Sequence, residues 1–208
     1  MTIFGTRPEA IKMAPLIKTL EKDSNLEPVV VVTAQHREML DSVLNTFNIS
    51  ADYDLNIMKA GQTLSEVTSE AMKKLEDIIQ KEVPDMVLVH GDTVTTFSGA
   101  LAAFYSQTPI GHVEAGLRSY NKYSPYPEEI NRQMVGVMAD LHFAPTYNAA
   151  QNLVKEGKLA KHIAITGNTA IDAMKYTIDY QYSSSIIQKH KNKNFIVLTA
   201  HRRENIGK

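Results

Sequence analysis

The chain has 208 residues and no cysteine. That excludes disulfides, thiolate metal sites and a thiol nucleophile, and it accords with a cytoplasmic location. Net charge is nearly absent too, at −1, so no nucleic-acid or membrane-surface partner is expected. No apolar run approaches the ~20 residues that span a bilayer. Lys12 interrupts the first apolar stretch, so no signal peptide is expected. The dinucleotide pattern GxGxxG is missing, which argues against a tightly bound NAD pyrophosphate. His36, His142, His162 and His190 lack any carboxylate or histidine at ligand spacing, so no metal site is expected. There is no internal repeat and no low-complexity tract. What remains is an ordinary globular composition, 43% hydrophobic and 22% charged.

Short apolar runs recur, and several end in dense polar clusters. Met1–Phe4 runs into Gly5-Thr6-Arg7-Pro8-Glu9, and Val29–Val32 into Gln35-His36-Arg37. Met86–Val89 leads to His90-Gly91-Asp92-Thr93, Ile110–Val113 to Glu114-Ala115-Gly116-Leu117-Arg118, and Phe195–Leu198 to His201-Arg202-Arg203-Glu204-Asn205. Helix-period sequence lies between most of them. The pattern predicts an α/β fold, a doubly wound, Rossmann-like parallel sheet, whose ligands sit at the carboxyl ends of its strands. The carboxylates, guanidinium groups and imidazoles then converge on one rim, as an anionic substrate requires.

Helices are expected from Pro8 to about Lys22 with a kink at Pro15, and over Arg37–Phe47, Leu64–Lys81, Thr93–Ser106, Glu128–Met138, Asn148–Glu156 and Ala170 to about Tyr182. Further strands are expected at Val29–Thr33, Tyr53–Ile57, Met86–His90, Ile110–Val113, His142–Ala144, Ile163–Thr166 and Asn194–Thr199. A first domain is expected over 1–180, a polar linker over 181–193, and the opening strand of a second domain over 194–208. The short first strand, and a last strand without a following helix, suggest a fragment of a longer protein.

Each cluster has a plain structural reading beside the chemical one. The N–H groups that open the first helix, with Arg7 and Lys12, attract an anion; taken alone, Lys12 reads as a helix-face lysine. Asp92 caps the following helix, unless Thr93 caps it and frees Asp92. Glu114 stands at the end of a buried strand and needs a partner or a role; Arg118 is the candidate partner. One of Glu128 and Glu129 is expected only to complement the helix dipole. Gly167-Asn168-Thr169 reads as a cap. His201 and Arg202 look like phosphate ligands.

GTRPEAIKMAP, HGDT, HVEAGLRS, YSPYPEEINR and TAHRREN occur in this order. Together they resemble the bacterial non-hydrolysing UDP-N-acetylglucosamine 2-epimerases, across essentially the whole chain. The resemblance implies two Rossmann-like domains around a cleft, in a glycosyltransferase-B-like architecture of which this chain is the first half. It implies inversion at carbon 2 to UDP-N-acetylmannosamine, by elimination of UDP to 2-acetamidoglucal and re-addition, for cell-envelope polysaccharide precursors. It implies Asp92, Glu114 and Glu128 as acid/base carboxylates, His201 beside the diphosphate, and Arg7 and Lys12 at the sugar and phosphate end; Arg118 and Arg202 are further expected to bind substrate. UDP-N-acetylglucosamine and UDP are the implied ligands, with no cofactor, no metal and a homodimer in the full-length protein. The uridine-holding residues belong to the second domain. Some relatives bind an activating second substrate molecule near the positions of Gln35 and Glu38; here Ala60-Gly61-Gln62 lacks the arginine of regulated relatives. A hydrolysing epimerase, a UDP-sugar glycosyltransferase and a non-catalytic sugar-nucleotide module are the competing readings, and the carboxylate set favours an epimerase.

Overall fold

The computed structural model describes residues 1–34, 37–59, 61–194, 196 and 198. Residues Met1–Thr177 form one compact unit and Ile178–Lys208 a second. The first unit is built on strands β1 (Thr2–Phe4), β2 (Val30–Val32), β3 (Tyr53–Asp54), β4 (Val87–His90), β5 (Ile110–Val113), β6 (Leu141–Ala144) and β7 (Ile163–Ile165). All pair in parallel, in the order β3-β2-β1-β4-β5-β6-β7. The helices of this unit are α1 (Arg7–Leu20), α2 (Arg37–Phe47), α3 (Leu64–Glu82), α4 (Val94–Tyr105), α5 (Glu128–Met138), α6 (Tyr147–Lys155) and α7 (Thr169–Thr177).

Strand alternation sorts side chains onto two cores. Ile3, Val31, Val87, Val89 and Ile110 pack beneath α3 and α4, with Val135 of α5. Phe4, Val30, Val32 and Val113 pack beneath α1 and α2, with Ala173 of α7. Burial on both faces is why the strands read as continuous apolar runs rather than alternating ones. A third small cluster joins Ala115 and Ala144 to Ala149, Ala150 and Leu153 of α6. Gly116 lies against α6 with φ +87, and a Cβ there would stand 2.2 Å from the Ala149 carbonyl oxygen. Only glycine supports both the backbone angle and the approach.

Because β1 pairs with both β2 and β4, the winding direction reverses beside it. The crevice outside the carboxyl ends of β1 and β4 is the switch point where such sheets take ligands. Gly5 follows β1 there, and Gly91-Asp92 follows β4.

Element ends differ from expectation where local side chains compete with the ladder. The β3 strand stops after Asp54, whose carboxylate accepts the N–H of Asn56 at 3.1 Å; Asn56 has φ +42. The α7 helix stops at Thr177, and Asp179 accepts the Gln181 N–H at 2.8 Å just beyond. A 3₁₀ turn over Ala160–His162 precedes β7. The α1 helix is continuous through Pro15. In the second unit a short helix α8 (Ser185–Lys189), capped by Ser184, occupies part of the expected linker. The strand expected at 194–199 falls largely outside the described residues. No helix among the described residues is long and apolar enough to cross a membrane.

Candidate active site

At the end of β1 the chain passes Gly5 and enters α1. A Cβ on Gly5 would lie 2.0 Å from Thr33 Oγ1 and 2.6 Å from Thr95 Oγ1. Those hydroxyls bond each other at 2.8 Å directly beneath the turn. Thr6 caps α1, and Glu9 completes the capping box. Glu9 is buried and accepts four hydrogen bonds, from Gly5 N at 3.0 Å, Thr6 N at 2.7 Å, Thr93 Oγ1 at 2.7 Å and Thr96 Oγ1 at 3.0 Å. Burial raises its pKa, with the bonds from Thr93, Thr6 and Gly5 opposing. The N–H groups of Gly5 and of the capping Thr6 are therefore satisfied internally. Arg7, at the first helical position, is exposed and has no ion pair among the described residues.

Thr93 caps α4 through the Thr96 N–H. Asp92 is thereby released from capping, and its carboxylate pairs with Arg132 of α5. Its backbone carbonyl accepts Asn131 Nδ2 at 3.0 Å. Burial raises the Asp92 pKa; Arg132 opposes this, while the charges of Glu128 and Glu114 add to it. A carboxyl so placed is suited to give or hold a proton.

Glu114 follows β5 with φ +63, a conformation that costs a non-glycine residue about 1–3 kcal/mol and clusters at functional sites. Lys12 Nζ of α1 lies 2.8 Å from Glu114 Oε1 and 2.6 Å from Oε2. Asn168, ahead of α7, donates to Oε2 at 3.2 Å while its own Oδ1 accepts the Ala170 N–H. His90 Nε2 stands 4.0 Å from Oε1. The partner of Glu114 is thus Lys12, not Arg118. Arg118 is turned away in a two-pronged pair with Glu156, both contacts 2.7 Å, and its side chain is fully buried.

Glu128 and Glu129 divide as their neighbours dictate. Glu129 is buried and accepts the N–H groups of Ser119 and Tyr120 at 3.0 Å and Gln133 Nε2 at 2.9 Å. Burial acts against its charge, but the Ser119, Gln133 and Tyr120 donors outweigh it and lower its pKa. It anchors the Tyr/Pro loop. Glu128, half-buried, has no hydrogen bond or ion pair among the described residues, and its charge reaches Asp92.

The structure brings Lys12, Asp92, Glu114 and Glu128 to one rim, with Arg7 opening α1 at the end of neighbouring β1. It adds His90 and Arg132, whose roles the chain pattern did not reveal, Asn168, which caps α7 as expected and also reaches Glu114, and Glu9, which braces the β1 and β4 turns. Glu9 had a local signal in the Thr6-x-x-Glu9 spacing. His112 Nε2 donates to the Gly91 carbonyl at 2.7 Å, and burial pushes its pKa down to about 3. Among the described residues no three histidine or acidic side chains gather as metal ligands. Gln35, His201, Arg202 and the Glu38 side chain lie outside the described residues.

A family model described as UDP-N-acetylglucosamine 2-epimerase matches residues 18–208. The Bacillus subtilis UDP-N-acetylglucosamine 2-epimerase is 59% identical over 207 residues, covering 100% of this chain and 54% of its own length. The S. aureus MnaA–UDP co-structure is 71% identical with a TM-score of 0.92, over 100% of this chain and 55% of that one. The Neisseria meningitidis UDP-GlcNAc 2-epimerase bound to UDP-GlcNAc is 51% identical with a TM-score of 0.85, over 92% of this chain and 52% of that one. The chain spans about half the length of the curated relatives it matches.

Proposed function

The chain belongs to the UDP-N-acetylglucosamine 2-epimerase family, and on that premise we propose that the intact protein interconverts UDP-N-acetylglucosamine and UDP-N-acetylmannosamine. The observation that carries the reading is the grouping of Asp92, Glu114 and Glu128 with Lys12 and Arg132 at the switch point of the sheet.

A carboxylate of this rim takes the proton from carbon 2. The C–H electron pair becomes the carbon 1–carbon 2 double bond of 2-acetamidoglucal, and the carbon 1–oxygen pair leaves with UDP. A carboxylic acid on the opposite side then returns a proton to the other face of carbon 2 while UDP re-adds at carbon 1. Asp92, its pKa raised by burial, suits the acid. Arg7 and Lys12, with His201 and Arg202, neutralise the departing diphosphate. The activity supplies a precursor for cell-envelope polysaccharide, from a cytoplasmic homodimer. Proton transfer between carboxylates asks for no hydride carrier, in keeping with the missing GxGxxG turn.

The test is the reaction of the intact protein in deuterated water, with chelator and without added NAD. The product is expected to carry deuterium at carbon 2, because carboxyl protons exchange with solvent before return. Product retaining protium there would overturn the elimination route.

A further inference from the structure

We infer that His90 is a positioning residue for Glu114, a neutral donor that takes over the carboxylate when the substrate's diphosphate draws Lys12 away. The inference rests on the reading of Glu114 as a proton-transferring group.

The His90 imidazole closes β4, and its register partner is Val113, the residue before Glu114. The ring is buried, yet neither ring nitrogen has a hydrogen-bond partner. Buried polar atoms are rarely left so without a reason. His112, one strand over, spends its Nε2 on the Gly91 carbonyl. The unspent nitrogen of His90 faces Glu114 Oε1 at 4.0 Å, too far for a hydrogen bond in this state.

What occupies Glu114 now is Lys12, on both oxygens. Of the three paired cations Lys12 has the most exposed side chain, 24% against 13% for Arg132 and 0% for Arg118, so it and Arg7, unpaired among the described residues, are the rim cations most open to a diphosphate. Once Lys12 turns to that anion, Asn168 still holds Oε2, and Oε1 has His90 beside it. A neutral donor suits a base: it fixes the carboxylate's direction without the full positive charge that suppresses its proton affinity. Burial, the larger cause and one that persists when Lys12 moves, lowers the His90 pKa to about 3 together with the Lys12 charge, so the ring is neutral in this state. Among the described residues, the charged and polar groups facing Glu114 are Lys12 from α1, His90 from β4, Asp92 through its charge from the turn after β4, and Asn168 ahead of α7.

The experiment compares His90→Phe, His90→Gln and Glu114→Gln in the full-length protein. His90→Phe is expected to lower kcat about 10- to 100-fold with KM little changed. It is also expected to move the acidic limb of the kcat–pH profile upward, because an undonated carboxylate holds its proton more tightly. His90→Gln, which restores an N–H donor, is expected to recover most of the rate and return the limb. A folded His90→Phe protein with an unmoved limb, or a His90→Gln protein as impaired as His90→Phe, overturns the inference. Should His90→Phe not fold, ¹⁵N NMR of the unaltered full-length protein decides. The His90 Nε2–H signal is expected to shift on adding UDP, and an unchanged signal overturns the inference. Retained turnover in Glu114→Gln would instead sink the reading of Glu114 itself.

Discussion

The places of Asp92 and Glu114 at strand ends, and of Glu128 and Glu129 at a helix start, were legible in the sequence because such a place is a local property; which of the two glutamates stays unpaired among the described residues was not. The partners of Asp92 and Glu114 were not legible either, because partners come from afar. Lys12 reaches Glu114 across 102 residues of chain, and Arg132 reaches Asp92 across 40. Arg118 sits close to Glu114 in sequence yet turns to Glu156, 38 residues away. The difference has a functional reading. Asp92→Asn, Glu114→Gln and Glu128→Gln in the full-length protein should each lower turnover by about 10²–10⁴-fold, the usual contribution of an acid/base group. Stability should change far less, by roughly 1 kcal/mol or under for the partly exposed Glu128. Paired measurements of kcat and melting temperature check this. Near-normal turnover in all of them would make these carboxylates structural.

At the scale of elements, periodicity fixed the middles and local side chains fixed the ends. Helices α2 and α5 and strand β5 match their expected bounds, since each has a strong apolar stripe or a proline or polar cluster at its edges. The β3 and α7 ends were missed because Asp54 and Asp179 offer the backbone a turn bond that competes with the regular element. The end of α3 contains a different conflict. Val83, 77% exposed, holds φ +45 at the helix terminus. The left-handed region costs an L-residue about 1–2 kcal/mol, and a branched side chain fits it poorly, while asparagine is well suited. Val83→Asn is therefore expected to stabilise the protein by about 0.5–1 kcal/mol. A melting temperature that falls or stays fixed in thermal denaturation would count against that account.

For the molecule as a whole, this chain is expected to supply one wall of the substrate cleft, with the family's uridine contacts in the other half. By itself it should bind UDP weakly and turn over no substrate. Calorimetry showing tight UDP binding by this chain would contradict that division. The sheet order has a consequence for biosynthesis. Strand β1 sits mid-sheet and is made before its neighbour β4, with Thr2 pairing to Leu88 across 86 residues of chain. At roughly 5–20 residues per second on the ribosome, about 4–17 seconds pass between the two. Throughout that interval β1 exposes an unpaired edge of Thr2, Ile3 and Phe4. The nascent chain is thus most open to mispairing, and to capture by a chaperone, while its future centre waits for the strand that will flank it.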